Sequence, residues 1–562
     1  MKSRTPFFNT SLLRKDVVRF APAWVLYAVF LVLIFTGTAL SHNKASMATV
    51  LSSSIPAFSF VNLFYAMICA QLLFGDLFQS RLCNALHALP IRRESWFATH
   101  LVAGLLFSAV PVAAAGIIFL TMLGSFWMAA LLWMLALMLE FLFFFSVAIL
   151  SVMLVGNRFA AVVVYTILNF LSGIVFWLFY ALYQPHLYGF VLNEAPLMKL
   201  CPAVWLTTFD WFAYNGVTAL LRIGEGWGYL AICAGVAVAF LGLSLVLYRK
   251  RALEKAGDFI VFKPTAPVFL VLYTFSAGAA LHLFSELFIG DEVEFVFLVI
   301  GLAIGFFTGL MLLERTVRVF RLKTLGRFGI LLAVFGLSLL LTVWDPIGLT
   351  RWVPKPQDIR WVSLDYYSNA DLETHAITDE ETIRQILSIH RHGVEHPEEG
   401  NNGKADISMH LSYKLKSGQL VQRQYYIDTD TLAAMTLQTV LSRPEVIFGT
   451  DFATAEALGQ ALYMAEIDYS EKYGYTSEQG YESLVVGDRN QLEGLAEALI
   501  ADAMAGNLCQ HWEFTSNDTE RAYIYLRTRK YHADGSYYSD YSWSVTCTSK
   551  ATNTLAWLEA CE

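Results

Sequence analysis

Nine long apolar stretches restrict what this 562-residue chain can fold into. A helix needs about 20 consecutive apolar residues to cross roughly 30 Å of hydrocarbon, and each stretch is near that length. Hydrophobic residues make up 56% of the chain and charged residues 15%, a composition too apolar for a soluble protein of this size. The chain is therefore predicted to be an α-helical polytopic membrane protein with nine transmembrane helices, at residues 22–41, 55–75, 97–123, 127–154, 159–183, 227–248, 266–288, 294–314 and 327–344.

Basic residues mark alternate connections between these stretches. One set of connections carries Lys2, Arg4, Arg14, Lys15, Arg19, Arg81, Arg92, Arg93, Arg158, Arg249, Lys250, Arg251, Lys255, Lys263, Arg315, Arg318, Arg321, Lys323 and Arg327. The intervening connections hold only Lys44, Lys199 and Arg222. Because cytoplasmic loops are enriched in Lys and Arg, the N-terminus is predicted to be cytoplasmic. With nine spans the C-terminus then lies outside.

The two ends of the chain differ in charge. Residues 1–344 contain 22 Lys and Arg against 14 Asp and Glu, a net charge of +8. Residues 345–562 contain the remaining 17 of 39 basic and 33 of 47 acidic residues, a net charge of −16. A basic membrane part is therefore followed by an acidic, extracytoplasmic part without a span.

The acidic part is predicted to be an α+β domain made of two similar halves, residues 345–450 and 480–562. The first half has the order strand, helix, strand, strand, helix (βαββα), at residues 359–367, 383–390, 407–413, 421–427 and 431–442. Thr378 and Glu381 form a capping box at the start of its first helix. The second half repeats this order at residues 483–486, 488–499, 523–527, 541–548 and 554–560. Neither GxSxG nor HExxH occurs, which favours binding, gating or assembly over catalysis.

The seven cysteines show neither a CxxC pair nor metal-ligand spacing, so no metal site is predicted. Cys509, Cys547 and Cys561 lie in the acidic part. A single disulfide among them and free thiols are both open alternatives.

Two further segments are predicted to lie at the membrane surface. Residues 1–21 are a cytoplasmic amphipathic lead-in, too polar for a cleaved signal peptide. Gln184–Gly226 is an outward-facing loop rich in aromatic residues, which prefer the headgroup region. It is expected to form short interfacial or re-entrant helices, or else a plain cap over the helices.

Asp76–Ser95 is a polar insert between two apolar stretches. Phe78, Leu82, Leu86 and Leu89 recur at helical spacing, and Pro90 ends the pattern. Arg92, Arg93 and Glu94 follow at once. These features predict a short amphipathic helix on the cytoplasmic membrane surface, where the arginines contact either a partner protein or lipid phosphates.

Polar residues inside the apolar stretches are candidates for function, because charge is costly in hydrocarbon. Glu140 is expected to contact cargo or to make a hydrogen-bonded contact between helices. Asn169 is expected to hydrogen-bond to a neighbouring helix. His282 and Glu286 lie four residues apart, and they are expected to extend to the outer interface rather than bind a ligand.

No GxxxxGK[ST] phosphate loop occurs in the sequence. If the function of this chain requires ATP hydrolysis, a partner protein must therefore bind and hydrolyse the ATP. Three segments carry a resemblance: FFNTSLLRKDVVRFAPAWVLY (7–27), NALHALPIRRESWFATHL (84–101) and YRKRALEKAGDFIVF (248–262). The chain resembles the permease subunits of ABC-2 type exporters, in particular the Gram-positive bacterial subgroup with extra spans and a soluble extracytoplasmic C-terminal domain. By this resemblance, residues 22–248 form a six-span core and residues 249–344 a cytoplasmic connector with three further spans.

The resemblance implies a coupling helix that docks into a cytoplasmic ABC ATPase, with Arg81, Leu86, His87, Leu89, Pro90, Arg92, Arg93 and Glu94 at the contact. Glu254, Lys255 and Gly257 form a second docking candidate. The implied partners are ATPase subunits, which hold ATP and Mg²⁺, and a second permease in a homodimer or heterodimer. No cofactor is expected on this chain, and nucleic acid is not an expected partner.

The implied location is the bacterial plasma membrane, and the implied cargo is an antimicrobial peptide, a lipid or another cell-envelope compound. The alternative is a membrane receptor or sensor with an extracytoplasmic ligand-binding domain. A membrane enzyme ranks last, because no paired catalytic set faces outward.

Overall fold

The computed structural model describes residues 8–41, 44–89, 91–192, 195–214, 221–262, 264–290, 293–365, 376–397, 399, 406–469, 484–508, 520–531 and 537–561. The chain forms two compact units. The first comprises Met1–Leu182 and Glu194–Gly336, and the second comprises Tyr183–Asn193 and Leu337–Glu562. The first unit is mainly helical, whereas the second contains two four-stranded sheets with helices.

Helices, most of them of span length, make up most of the described chain before its acidic part. In chain order these helices are α1 (Thr10–Arg19), α2 (Ala21–Ser41), α3 (Lys44–Leu73), α4 (Ser80–His87), α5 (Arg93–Leu123), α6 (Trp127–Leu154), α7 (Arg158–Tyr183), α8 (Ala195–Met198), α9 (Pro202–Trp205), α10 (Gly226–Lys250), α11 (Thr265–Phe288), α12 (Glu294–Glu314) and α13 (Leu322–Trp344). Among the described residues, eight helices have the length and hydropathy of a span. The pair α1–α2, bent by 61°, makes a ninth if it is one span. The chain is thus a multi-pass helical membrane protein, as predicted.

α3 begins at Lys44, earlier than the predicted residue 55. The polar residues in its first turns find partners on neighbouring elements. The Oγ atom of Ser54 accepts a hydrogen bond from Trp133 Nε1 at 3.1 Å, and that of Ser52 accepts one from the Phe212 backbone N–H at 3.0 Å. Because these hydroxyls are paired, the helix continues through a stretch that its polarity would otherwise interrupt.

α6 lies at the centre of the first unit, with α3, α5 and α10 packed against it. From Trp133 onward its aromatic residues are almost fully buried, Phe145 among them, whereas Trp127 at its first position is exposed. α5 approaches α6 closely through two glycines. A Cβ atom at Gly104 would lie 2.1 Å from the Phe145 ring, and one at Gly116 would lie 2.0 Å from Met134 Sδ. Only glycine fits at these two positions without repacking.

α11 and α12 form a tight antiparallel pair. Gly301, Gly305 and Gly309 are spaced four residues apart on the face of α12 that meets α11. A Cβ atom at Gly305 would lie 2.7 Å from Ala277 Cβ and 2.9 Å from Thr274 Cα. Small residues at this spacing let two membrane helices approach closely, so that dispersion contacts can hold them together.

Replacing Gly305 with Leu should separate α11 from α12, because the new side chain would collide with the α11 backbone. Overpacking of this kind costs about 1–3 kcal/mol, so we expect a lower thermal unfolding midpoint for the full-length protein in detergent. Gly235→Leu in α10 is the matched control, since nothing lies within 4 Å of a Cβ atom there. Equal midpoints for the two variants would contradict this packing role.

The predicted loop Gln184–Gly226 contains both helices and strands. The short helices α8 and α9 fit the prediction, but the hairpin of β2 (Phe212–Tyr214) and β3 (Leu221–Ile223) was not predicted. Nor was β1 (Phe190–Val191), which pairs with a strand of the acidic part through Phe190 and Arg423. This pairing requires β1 and the acidic part to lie on one side of the membrane. The four helices α10–α13 between them satisfy that requirement if each crosses once.

The first sheet of the second unit has the order β1-β6-β5-β4. Its elements are β4 (Ile359–Asp365), α14 (Glu380–Glu395), β5 (Asp406–Leu415), β6 (Leu420–Asp428) and α15 (Leu432–Leu441), in the predicted order. The predicted capping box at Thr378 and Glu381 is wrong. The N-cap is Asp379, whose carboxylate accepts hydrogen bonds from both the N–H and the hydroxyl of Thr382, at 2.9 and 2.6 Å.

The second sheet has the order β10-β9-β7-β8. It follows α16 (Pro444–Ile447) and α17 (Ala455–Ala461), and its elements are β7 (Leu462–Tyr469), β8 (Leu484–Val486), α18 (Arg489–Met504), β9 (Glu520–Tyr531), β10 (Tyr537–Thr548) and α19 (Thr552–Cys561). Sequence analysis missed β7, the strand that pairs with β9. The second half therefore begins before residue 480. Cys547 and Cys561 are free thiols, and Cys509 lies outside the described residues.

A buried histidine connects the core of the first sheet. Nδ1 of His390 lies 3.0 Å from the hydroxyl of Tyr413, and its Nε2 lies 3.0 Å from the hydroxyl of Tyr425. Burial lowers the pKa of His390 to about 3, and the charges of Arg423 and Arg391 add to this shift. The imidazole is therefore neutral in the folded domain at neutral pH.

The stability of this domain should depend on pH through His390. The unfolded chain binds a proton near pH 6.5 and the folded chain only near pH 3, so stability is full above pH 6.5 and is lost as the pH falls. The slope is up to about 1.4 kcal/mol per pH unit. Hydrogen exchange of β5 and β6 in the full-length protein, followed as a function of pH, measures this slope. His390→Gln should show a flatter profile, and an unchanged slope would refute the assignment.

Candidate functional site

The predicted surface helix is present as α4, which is shorter than expected. Gly75–Phe78 forms a separate 3₁₀ turn, and α4 begins only at Ser80. Phe78 is therefore buried in that turn and does not belong to the face of α4. Leu86 and His87 form the last turn of α4, and Pro90 lies outside the described residues. Arg81 is exposed, and Leu89, which follows α4, is 46% exposed, so both are accessible from outside the unit.

A buried arginine holds the base of α4 to two spans. Arg251 follows α10 directly, and its side chain is only 2% exposed. Its Nη1 donates to the carbonyls of Val152 and Met153 at 2.8 and 3.1 Å, at the end of α6. Its Nη2 donates to the carbonyl of Leu77, in the turn before α4, at 3.1 Å. Although burial lowers its pKa to about 10, the guanidinium remains charged at neutral pH.

Arg93 and Glu94 make contacts within the chain. Nη1 of Arg93 donates to the carbonyls of Arg249 and Arg251 at 3.2 and 3.0 Å, at the C-terminal end of α10. Such a cation suits the negative end of a helix dipole. Glu94 forms an ion pair with Arg249 at 3.0 Å. These two residues therefore fasten the start of α5 to the end of α10, and Arg92, the N-cap residue of α5, is exposed.

The second predicted docking segment lies against the first. The 3₁₀ turn Leu253–Lys255 packs on α4, so the two candidate segments share one surface. The backbone N–H of Gly257 donates to Gly156 O at 2.7 Å, and that of Gly156 donates to Asp258 O at 2.9 Å. A Cβ atom at Gly156 would lie 2.3 Å from a backbone oxygen, so this close approach requires glycine.

Charged side chains reinforce the second segment. Lys255 Nζ lies 3.2 Å from Asp258 Oδ2, and Arg315 Nη2 lies 2.8 Å from Asp258 Oδ1. Arg315 also donates to the carbonyl of Gly257. Glu254 is exposed beside them. We call the exposed residues Arg81, Leu89, Arg92 and Glu254 together the docking surface, after the role that the resemblance predicts for their segments.

Sequence analysis missed an acid–histidine pair near this end of the unit. Oδ2 of Asp16 in α1 lies 2.9 Å from Nδ1 of His100 in α5, and both side chains are buried. Trp96 stacks on the His100 ring at 4.5 Å. Burial raises the pKa of nearby Asp76, against the opposing effect of Arg19 and His100. Asp16 is the single acidic residue of an otherwise basic lead-in, which could have drawn attention to it.

Glu140 lies in a buried network between helices. Its carboxylate accepts hydrogen bonds from Ser59 Oγ at 2.6 Å and Asn62 Nδ2 at 3.1 Å. The hydroxyl of Tyr27 donates to Asn62 Oδ1 at 3.1 Å. The network joins α2, α3 and α6, and Glu140 has no exposed surface through which to meet a cargo. Its geometry is that of the predicted contact between helices.

The other predicted intramembrane residues are not gathered into this network. Asn169 Nδ2 donates to Tyr165 O within its own helix at 2.9 Å, not to a neighbouring helix as predicted. His282 is 3% exposed, so it does not extend to the surface as expected. Glu286 is half-buried on the next turn of α11. α12 packs against α11 and covers positions that were predicted to lie at the membrane–water interface.

A second buried arginine organises the second unit. Arg423 is 3% exposed, and its Nη2 donates to Leu349 O at 2.9 Å. Its guanidinium lies over the rings of Phe190 and Trp352, with centroid distances of 5.2 and 5.9 Å. Arg423 thus connects β6 both to the segment that follows α7 and to the segment that follows α13.

No family model, curated protein or solved structure matches this chain. Among the described residues, no group of three or more His, Cys, Asp or Glu side chains could hold a metal ion. The resemblance to ABC-2 permeases therefore rests on the three sequence segments alone, and the docking surface carries two of them.

Replacing Arg251 with Met should loosen α4, because three buried carbonyls would lose their donor. Unsatisfied buried polar groups cost about 1–3 kcal/mol each, so we expect a large loss of stability and faster hydrogen exchange in residues 75–89. Arg249→Met is the control, since the exposed ion pair with Glu94 is worth about 0–1 kcal/mol. Unchanged exchange in Arg251→Met would show that this arginine does not position α4.

Proposed function

We propose that this chain is the transmembrane permease subunit of an ATP-driven exporter of the ABC-2 type. The observation that carries the proposal is the way in which α4 is held to the neighbouring helices. A short helix with an accessible arginine lies between two span-length helices, and the buried hydrogen bonds of Arg251, which directly follows α10, fix its base to the end of α6. A free surface anchor would not need such fixation, whereas a helix that transmits force would.

The contacts that hold α4 suggest how a movement of a partner is transmitted to the membrane-spanning helices. A displacement of α4 would move Leu77 and, through its hydrogen bond, Arg251. Arg251 is also hydrogen-bonded to the end of α6. Since α6 is the packed centre of the unit, the helices around it would shift together as a rigid body. Glu140 and its hydrogen-bond donors would keep α2, α3 and α6 together during this motion.

The proposal assigns nucleotide chemistry to the partner. ATP and Mg²⁺ would bind to a cytoplasmic ABC ATPase, and this chain would pair with a second permease, identical or related. The docking surface would face the cytoplasm of a bacterial cell, and the acidic domain would be extracytoplasmic. The cargo class is an amphiphile such as an antimicrobial peptide, a lipid or another cell-envelope compound.

Charge reversal at the docking surface tests the proposal. The purified chain alone should hydrolyse no ATP, and co-expression with its ATPase should give a stable complex. Arg81→Glu with Arg92→Glu should weaken that complex at least tenfold, since truncating a charged interface contact commonly costs about 2 kcal/mol or more. Arg327→Glu, at an exposed basic position in α13, is the control. An intact complex and full cargo-stimulated hydrolysis in the double variant would overturn the assignment.

The second candidate is a receptor or sensor, and one observation favours it. Arg423 connects the first sheet to the segments that leave α7 and α13, a suitable route for a signal from a ligand-binding domain. Under this second function, Arg423→Met would abolish the response to the ligand. If no ATPase associates with the chain at all, this second function is the better account.

A further inference from the structure

We propose that a groove between α7 and α11 binds one acyl chain of an anionic membrane lipid. The groove has a volume of about 630 Å³. This size is within the range of roughly 300–1,000 Å³ that is typical of small-molecule sites. The inference concerns a stable lipid site and does not depend on the proposed exporter function.

The walls of the groove are mainly apolar, with Thr166 and Ser276 as the small polar residues in its lining. Phe170 and Trp177 of α7 and Tyr273 and Ala280 of α11 line it, together with Cys201 of the segment between α8 and α9. Within the described part of the chain, no charged side chain lines it. Such a lining stabilises a hydrocarbon ligand through the hydrophobic effect and dispersion, without a specific polar partner.

The surroundings identify the occupant as a lipid tail. α7 and α11 both have the length and hydropathy of spans, so the groove lies at the depth of the hydrocarbon. An empty groove there would forfeit dispersion contacts on every wall. An extended peptide would bring unpaired backbone N–H and C=O groups that this lining cannot satisfy, at a cost of several kcal/mol for each group by the general rule for bilayers. An acyl chain has no such groups.

A basic residue at the mouth supplies charge complementarity for an anionic headgroup. Lys199 is exposed and directly follows Met198, which lines the groove. Its ammonium lies 5.6 Å from the centre of the Trp205 ring, an arrangement typical of the membrane interface. A lipid whose tail enters beside Met198 would bring its phosphate within reach of this ammonium.

Photo-crosslinking of the full chain in vesicles tests the tail site. The probe is phosphatidylglycerol with a diazirine at the end of one acyl chain. We expect adducts concentrated in residues 162–177 and 273–283. Ala280→Trp should reduce them about tenfold by filling the groove, whereas Ala239→Trp, at an exposed position of α10, should leave them unchanged. Equal labelling of α10 and the groove, or no effect of Ala280→Trp in a protein with an unchanged melting midpoint, would overturn the site.

A second probe with a different headgroup tests the preference for an anionic lipid. The matching phosphatidylcholine probe should label the groove about fivefold less than phosphatidylglycerol, the effect expected of one basic residue beside an anionic lipid. Lys199→Glu should remove this preference while tail labelling by phosphatidylcholine persists. Equal labelling by the two probes in the unmodified protein would refute the role of Lys199. Should Ala280→Trp lower the melting midpoint, Thr166→Phe at the exposed rim of α7 provides the second groove-filling variant.

Discussion

The buried guanidinium of Arg251 is the interaction on which the arrangement of the docking surface depends. A charge removed from water is costly unless hydrogen bonds replace its hydration. Three backbone carbonyls do so here, and two of them stand at the C-terminal end of α6, where the helix dipole favours a cation. Because the third carbonyl belongs to Leu77, the same charge fixes the base of α4. Moving α4 away from α6 would therefore expose the arginine or break its bonds.

Arginines connect distant parts of the chain in both units, and each does so through carbonyls. Arg93 donates to the end of α10, Arg251 to the end of α6, and Arg423 to Leu349 beyond α13. A planar guanidinium presents several donors in fixed directions, so one side chain can hold more than one segment. Arg93 and Arg251 each fasten one helix or its flanking segment to the end of another helix, whereas Arg423 fastens β6 to the segment that follows α13. The chain thus uses arginine where a membrane helix meets a polar region.

The apolar helices could be predicted from the sequence because hydropathy is a local property of about 20 residues. The role of Arg251 could not, since its carbonyl partners lie 98, 99 and 174 residues away and the residue resembles any other cytoplasmic arginine. β7 was missed because it follows the helix-forming residues of α17 without a turn signal. β1 has two residues and gains its identity only from pairing with Arg423 and Gln422. Of the docking surface, Arg81 and Arg92 were found, whereas the internal contacts of Arg93 depend on a helix end that is distant in sequence.

The most direct test of the central claim is photo-crosslinking in cells from a reactive amino acid placed at Ala85, an exposed residue of α4. The same substitution at Ala239 of α10 is the control. The account predicts that position 85 captures an ATPase subunit with a GxxxxGK[ST] loop, identified by mass spectrometry, and that position 239 captures only lipid. Lipid adducts alone at position 85, in cells that express the ATPase, would contradict it.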